Sequence, residues 1–321
     1  MLHFVSIIIP AKNEEKCLSL CLSALLVLDY PKDKYEIIVI DNGSTDKTVQ
    51  IAKNYGAKVF IKPELTIAAL RNYGAKVANG SLLAFVDADV ILDKSWLKTA
   101  IHCLTLDENI GCVGAFPFPP NESGWVAKTW WILQNPINLD SNQKVGWLPS
   151  MSMLVKKSAF TVIGGFSPNL ITCEDVDFCY RLRNKFKIIY CKDLKAFHLG
   201  EPQSLKQLFK KERWRGISNY EGIKYHGIHI DELPSLLLPI YYLLLILWLI
   251  YTIITGNWIG ILLNLTCWFL PPILKSFLSA KKNSNYSMLH KMVICYLVYC
   301  LARTISAIDW KKINLIIIKK E

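Results

Sequence analysis

Short runs of aliphatic and β-branched residues alternate with segments of helical periodicity from residue 4 to about 118. The runs predict strands at FVSIIIPA (4–11), YEIIVIDN (35–42), AKVFIKP (57–63), SLLAFVDAD (81–89) and IGCVGAFPF (110–118). The segments between them predict helices near 14–28, 45–55, 65–79 and 94–106. This alternation is typical of an α/β domain whose mostly parallel sheet is covered by helices.

The pattern changes twice beyond residue 118. Residues 119–232 are less regular and richer in aromatic residues, whereas residues 233–321 contain long apolar runs. Two runs, about 234–255 and 258–278, are long enough to cross ~30 Å of hydrocarbon. A third, about 290–308, contains Arg303, so spanning, re-entrant and interfacial positions stay open for it. We therefore predict a domain at 1–232, with halves 1–118 and 119–232, the second including an interfacial helix, followed by a membrane module at 233–321.

The basic residues favour a membrane surface over nucleic acid as the partner. The formal net charge of +11 indicates an anionic partner. The charges that flank the apolar runs are Lys206, Lys210, Lys211, Arg213, Arg215, Lys281, Lys282, Lys311, Lys312, Lys319 and Lys320. With residues 1–232 in the cytosol, the positive-inside rule favours two spans and a cytosol-side third segment. The chain is thus predicted to be a multi-pass membrane protein with its larger domain on the cytoplasmic side.

The cysteines predict a reduced protein. None of the ten stands in a C-x-x-C pair, and several lie inside apolar runs. In a chain of this size, that pattern favours buried thiols over a disulfide framework.

Polar residues follow three predicted strands at the point where each ends: Ala11-Lys12-Asn13-Glu14, Asp41-Asn42 and Asp87-Ala88-Asp89. Ligands bind at the carboxyl ends of strands in open α/β sheets, so these residues predict a binding site. Asp87 and Asp89 are two apart and would share one face of a strand. Two carboxylates that close favour a bound cation such as Mg²⁺ or Mn²⁺, although a loop or a helix cap fits the same pair.

Two further helix features are predicted. Ser44 or Thr45 is placed to cap the second helix. The segment EDVDFCYRLRNK has helical spacing, and its apolar face comprises Val176, Cys179, Tyr180 and Leu182. Its first turn carries three carboxylates, which a helix dipole favours in any case.

Taken together, the motifs resemble glycosyltransferase family 2, whose members are inverting enzymes of the GT-A fold. The segments that carry the resemblance are VSIIIPAKNEE (5–15), EIIVIDNGSTDKT (36–48), RNYGAKVANG (71–80), FVDAD (85–89), GGF (164–166), CEDVDFCYRL (173–182) and ERWRG (212–216). They follow the family's order over about residues 1–220. The resemblance implies metal-dependent sugar transfer from a UDP- or GDP-sugar to a membrane acceptor, in cell-envelope polysaccharide or glycolipid synthesis.

The resemblance also implies three groups of site residues. The nucleotide-sugar group comprises Pro10, Ala11, Asn13, Glu14, Asp41, Arg71, Asp87, Arg213 and Trp214. The metal group, for Mg²⁺ or Mn²⁺, comprises Asp89, Asp87 and His198. The catalytic pair is Glu174 with Asp175, and Asp175 is expected to act as the general base.

Departures from the family pattern narrow the expected reaction. Asn42 follows Asp41 where many members have a second aspartate, and Lys210 precedes Arg213 by three where processive relatives carry glutamine. The second departure favours a single transfer to polyprenyl phosphate, a lipid-linked sugar or another glycolipid. A catalytically silent nucleotide-sugar-binding scaffold stays open as the alternative. The tryptophans at 125, 130, 131 and 147 fit core or interface packing better than sugar stacking.

Overall fold

The computed structural model describes residues 2–134 and 142–318, the last ten of these by their backbone. It forms two compact units, Met1–Pro120 with Asn138–Gly200 and Asn121–Ile137 with Glu201–Glu321. The predicted boundary at residue 232, between the larger domain and the membrane module, stays a prediction. Lys319 and Lys320 lie outside the described residues, as do the side chains of Lys311 and Lys312.

The first unit is built on a mixed sheet whose described strands are ordered β3-β2-β1-β4-β8-β6-β9-β7. Their bounds are β1 (Val5–Ala11), β2 (Tyr35–Asp41), β3 (Lys58–Ile61), β4 (Leu82–Val86), β6 (Ile110–Gly114), β7 (Gln143–Lys144), β8 (Ser152–Lys156) and β9 (Lys187–Tyr190). A separate antiparallel ribbon comprises β5 (Val90–Leu92) and β10 (Ala196–His198). Strands β1, β2 and β4 are buried along their whole length, as expected of parallel strands covered on both faces. The predicted α/β class is confirmed.

Helices cover the sheet of the first unit and make up most of the second. In the first unit they are α1 (Leu18–Leu26), α2 (Thr48–Asn54), α3 (Ile67–Val77), α4 (Trp96–Thr105), α6 (Lys157–Ile163) and α7 (Glu174–Leu182). In the second they are α5 (Trp125–Gln134), α8 (Leu205–Arg215), α9 (Ile223–His226), α10 (Leu233–Ile254), α11 (Trp258–Lys282) and α12 (Leu289–Ile318).

One local prediction about these helices is wrong, and another is right at three of its four residues. Neither Ser44 nor Thr45 caps α2, which begins at Thr48, and the Asp46 carboxylate accepts from the Thr48 backbone N–H at 3.0 Å. Three of the four residues predicted for the apolar face of α7, namely Cys179, Tyr180 and Leu182, are buried. Val176 is half-buried, whereas Asp177 is fully buried because it accepts from Ser167 at 2.7 Å and pairs with Arg181.

The cysteines differ from the prediction at one pair. Cys103 on α4 and Cys191, directly after β9, form a disulfide across 88 positions of sequence, so these two are not reduced thiols. The other eight cysteines carry thiols. Five of those eight are buried, as predicted, namely Cys21, Cys112, Cys179, Cys295 and Cys300.

Three helices in the described part of the second unit are long and apolar enough to cross a membrane, over Ile230–Ile254, Trp258–Lys282 and Tyr286–Ile308. They correspond to the three predicted runs and indicate membrane association. The preference for two spans over three stays a prediction.

The proline pair in α11 is matched by a tyrosine pair in α10. Pro271 and Pro272 have no N–H, so the carbonyls four residues earlier, of Cys267 and Trp268, receive no helical hydrogen bond from them. The hydroxyls of Tyr241 and Tyr242 donate to these two carbonyls, each at 2.8 Å. Hydrogen bonds of this kind let prolines occupy apolar helices, where water does not reach the backbone.

Candidate active site

The loops after β1 and β2 are tied together by hydrogen bonds. The Asn13 backbone N–H donates to the Ser44 hydroxyl at 2.8 Å, and the Asn13 side-chain oxygen accepts from the Thr45 N–H at 2.9 Å. The Glu14 N–H donates to the Thr48 hydroxyl at 2.7 Å. Asn13 has a φ of +56°, a left-handed conformation that asparagine tolerates. The predicted residues of the first loop are thereby held against the N-terminus of α2.

Asp41 ends β2 and is only 1% exposed. It pairs in register with Ala11, the last residue of β1, which follows the buried Pro10. One carboxylate oxygen accepts from the Ser44 N–H at 2.9 Å, so Asp41 does stabilise the turn. The other oxygen is buried without a hydrogen-bond partner within residues 2–134 and 142–318. Because a buried acceptor without a donor is costly, this oxygen is suited to a ligand N–H or hydroxyl.

The D-A-D segment forms a turn rather than the end of a strand. Strand β4 ends at Val86, the Val90 N–H donates to the Asp87 carbonyl at 3.1 Å, and the chain then enters β5. The prediction that Asp87 and Asp89 share one strand face is therefore wrong. Asp87 accepts from Arg71 at 2.6 Å, whereas Asp89 lies 3.1 Å from the Nε2 atom of His198.

Arg71 connects two of the predicted motifs. It lies on α3, is 1% exposed, and donates to Asp87 and to Glu174, each at 2.6 Å. Burial lowers the pKa of Arg71, but the two carboxylates outweigh burial and raise the pKa above its ordinary value. The arginine is therefore a charged bridge between segments 103 positions apart in sequence.

The predicted catalytic pair stands at the start of α7. Glu174 is buried against Arg71, and burial raises its pKa despite the opposing charge of the arginine. Asp175, the next residue, is half-buried, and its carboxylate accepts from the Val176 N–H at 2.8 Å. Cys173, just before the helix, has a φ of +62°. The two acidic residues thus differ in environment, and Asp175 is the more accessible of the pair.

The pKa of Glu14 is affected by several negative charges that lie close together at this edge of the sheet. Burial, followed by the charges of Asp89, Asp87 and Asp46, raises the pKa of Glu14 to about 7. A bound cation would reduce the repulsion among these carboxylates, so the raised pKa of Glu14 favours a cation at this site.

His198 is brought to Asp89 by the small ribbon. Strand β10 pairs antiparallel with β5 so that His198 lies opposite Val90, the residue after Asp89. Gly200 leaves space for the pair, because a Cβ atom there would lie 2.2 Å from an Asp89 carboxylate oxygen and 2.9 Å from Nε2 of His198. Gly200 was missed by the sequence analysis, since a glycine two positions after a histidine gives no signal by itself.

An imidazole nitrogen beside a carboxylate is a donor set that Mg²⁺ or Mn²⁺ accepts, with positions left for phosphate oxygens and water. Within residues 2–134 and 142–318, no group of three or more His, Cys, Asp or Glu side chains could hold a metal on its own. A cation at this pair would need further ligands from water or a bound molecule.

The R-W pair belongs to the second unit, and the predicted tryptophans are divided between the two units. Arg213 and Trp214 are exposed near the end of α8. Of the tryptophans, Trp130 is buried in the core of the second unit, and Trp147 packs edge-on against Phe116 in the first at 5.4 Å. Packing is therefore the observed environment of these two rings, as predicted.

Comparison with known proteins identifies a sequence family that matches part of the chain. Residues 6–163 match the family described as glycosyl transferase family 2. Glycosyltransferase AglE of Haloferax volcanii is 29% identical over 221 residues, which cover 66% of this chain and 71% of AglE. The probable glycosyltransferase YdaM of Bacillus subtilis is 27% identical over 246 residues, which cover 69% of this chain and 56% of YdaM. The alignment thus spans little more than half the length of YdaM.

Solved structures share the fold. The mannosyltransferase PcManGT from Pyrobaculum calidifontis, in complex with GDP-Man and Mn²⁺, has a TM-score of 0.65 at 15% identity, covering 97% of this chain and 87% of PcManGT. S. aureus TarS 1-349 has a TM-score of 0.52 at 18% identity, covering 96% of this chain and 91% of that chain. These likenesses concern the fold, and the family follows from the sequence matches. The chain is accordingly a transferase that carries a glycosyltransferase family 2 domain over residues 6–163, with a GT-A-like α/β sheet and three helices long and apolar enough to span a membrane.

Proposed function

We propose that the chain transfers a sugar, with inversion, from a UDP- or GDP-sugar to a membrane-associated acceptor at the cytosolic face. The observation that carries the proposal is the Arg71 bridge between Asp87 and Glu174. Each partner of Arg71 is a close sequence neighbour of a residue with a proposed chemical role, Asp89 or Asp175. One buried arginine thus links the donor-binding turn to the catalytic helix.

The nucleotide pocket is assigned to the loops after β1 and β2. Pro10, Ala11, Asn13 and Glu14 supply its walls, and the unpartnered buried oxygen of Asp41 is available to the base or the ribose. Arg71 was expected to contact the nucleotide. With both of its terminal nitrogens bound to carboxylates, we assign it instead to positioning Asp87.

Asp89 and His198 are the residues that would hold Mg²⁺ or Mn²⁺, with Asp87 beside them. A bound cation would supply Lewis-acid stabilisation of the leaving diphosphate. The presence of Mn²⁺ and GDP-Man in PcManGT supports the same classes of ligand here.

Asp175 is assigned as the general base. Its carboxylate takes the proton of the acceptor hydroxyl while that oxygen bonds to the anomeric carbon and the bond to the diphosphate breaks. A single displacement inverts the anomeric centre. Arg213 and Trp214 are proposed to contact the diphosphate and the acceptor. The apolar tail and the glycolipid synthase among the relatives, the beta-monoglucosyldiacylglycerol synthase of Nostoc, support a lipid-linked acceptor.

The test is a panel of UDP- and GDP-sugars incubated with the full chain, membrane lipid extract and Mn²⁺ or Mg²⁺, with product mass as the readout. We expect a glycolipid product that disappears on chelation. Asp175→Asn should lower the rate at least about 100-fold, the contribution of a positioned base, while nucleotide binding persists. Asp89→Ala should weaken metal-dependent nucleotide binding.

Asp107→Asn is the matched control, because Asp107 is a partly exposed carboxylate that pairs with Lys187 and accepts from the Asn109 amides. It should keep the wild-type rate. Full activity in both Asp89→Ala and Asp175→Asn would show that the assigned mechanism is wrong.

A further inference from the structure

Helix α8 presents the residues around its R-W pair on two opposite faces. Glu212 is fully buried and Arg215 is partly buried, whereas Arg213 and Trp214 between them are exposed, Trp214 at 49%. Residues three apart lie on one side of a helix, so positions 212 and 215 form a single inward face. From the sequence, Arg213 and Arg215 were predicted to belong to one group of basic residues beside the membrane.

The inward face is organised around one buried carboxylate. Glu212 accepts from Arg215 at 2.7 Å, and its second oxygen lies 3.5 Å from the guanidinium of Arg303 on α12. Arg303 also lies over the ring of Tyr299, 5.2 Å from its centroid. Burial lowers the pKa of Arg215, but the charges of Glu212 and Glu201 outweigh burial and raise the pKa. A charge in an apolar run thus has a protein partner.

Two neighbouring contacts of α8 with α12 lie on the same stripe. Leu208, four residues before Glu212, packs in an apolar cluster with Met292 and Cys295. Gly216, four residues after Glu212, lies so close to α12 that an added Cβ would be 2.6 Å from the Ser306 hydroxyl oxygen. Leu208 and Gly216 thus lie against α12 on either side of the ion pair, and Glu212 is the charged centre of the interface between α8 and α12.

We infer that Glu212 is a positioning residue that fixes α8 on α12 and thereby sets the orientation of Arg213 and Trp214. The inference rests on the role proposed above for these two residues. Apolar packing at Leu208 tolerates small rotations of α8, whereas a buried carboxylate held by two guanidinium groups tolerates few, because a lost partner leaves a charge unpaired. The clamp, meaning Glu212 with Arg215 and Arg303, makes the exposed face of α8 dependent on the apolar tail.

The first arm of the test measures the clamp without using activity. The full chain in lipid nanodiscs is compared with Glu212→Gln, with Arg303→Gln and with the conservative variant Arg303→Lys, by hydrogen exchange of the α8 amides. Arg303→Gln keeps the Glu212–Arg215 bond and removes the ionic contact between the helices, together with the stacking of Arg303 on Tyr299 within α12. We expect exchange in α8 to be about 10-fold faster in both glutamine variants and closer to wild type in Arg303→Lys, which keeps the charge. Unchanged protection of α8 in Arg303→Gln would overturn the clamp.

The second arm measures positioning through kinetics. For Arg303→Gln we expect kcat to fall about 10-fold with a KM for the nucleotide sugar within about twofold, because the base and the ribose are assigned to residues of the other unit, whereas Arg213 is assigned to the diphosphate that leaves during transfer. Arg303→Lys should recover most of kcat, because it keeps the positive charge that pairs with Glu212. Asp29→Asn, which removes an exposed ion pair with Lys98, is the control and should change neither constant.

The two arms separate the inference from the proposed function. Faster exchange in α8 with an unchanged kcat would refute the positioning role while leaving the clamp. If wild-type protein transferred no sugar from any donor, the proposed function would fail, and the role of Glu212 in activity would fail with it. The exchange arm would still decide whether Glu212 fixes α8.

Discussion

The two units bury charge in opposite arrangements. In the first, one arginine, Arg71, lies between the carboxylates of Asp87 and Glu174. In the second, one carboxylate, Glu212, lies between the guanidinium groups of Arg215 and Arg303. Both central residues are almost fully buried, at 1% and 0% exposure.

The difference lies in which residues stand next to the buried charges in sequence. In the first unit the outer carboxylates adjoin the proposed reactive residues, so the arginine acts through them. In the second unit the central carboxylate itself adjoins the exposed Arg213. A buried charge network is weak evidence for stability, because apolar residues of similar volume often stabilise as well. In both units the network is better explained by the orientation that it gives to a neighbouring exposed side chain.

The largest effect is expected when the centre of the first arrangement is removed. Arg71→Met leaves two carboxylates facing each other in a buried site and should destabilise the protein by about 3–5 kcal/mol, with loss of activity. Arg71→Lys keeps the positive charge but lacks the two separate terminal nitrogens that contact Asp87 and Glu174. Its loss of stability should be smaller than that of Arg71→Met but measurable. Denaturant unfolding of the first unit is the measurement. Lys98→Met, at an exposed ion pair, should change stability by less than about 1 kcal/mol. If Arg71→Met also lost less than about 1 kcal/mol of stability, the first arrangement would not depend on its central charge, and the contrast with the second would disappear.

A smaller effect on stability is expected when the second arrangement is replaced as a whole. Glu212→Leu, Arg215→Met and Arg303→Met together remove every charge and fill similar volumes. Stability should stay within about 1 kcal/mol of wild type or rise, by the reasoning that holds for buried ion triads. Activity should still fall, because α8 loses its charged anchor. Recovery of both stability and kcat in this triple variant would assign the clamp to folding alone.

The sequence was informative where local pattern decides the structure. The runs that became β1, β2 and β4 and the three apolar helices follow from residue periodicity, and Asp41 was found because it ends a strand. The distant partners of Arg71 and Glu212, which are Glu174 and Arg303, were not predictable, since they lie 103 and 91 positions away along the chain. Asp87 and Asp89 were recognised by type but misplaced by geometry. Alternation along a strand cannot show where the strand gives way to a turn.

The smallest effect concerns neutral polar groups in the second unit, where a hydroxyl rather than a charge satisfies a buried atom. Tyr242→Phe removes the donor to the Trp268 carbonyl and should cost about 0.6–2 kcal/mol, the range for hydrogen bonds between apolar helices. Pro272→Ala restores a backbone N–H four residues after Trp268, so in that background Tyr242→Phe should cost much less. Unfolding of the four variants in one detergent gives the coupling free energy. Tyr251→Phe, at a tyrosine of α10 that is 63% exposed, is the control and should be neutral. Equal costs of Tyr242→Phe in both backgrounds would mean that the hydroxyl does not compensate for the proline.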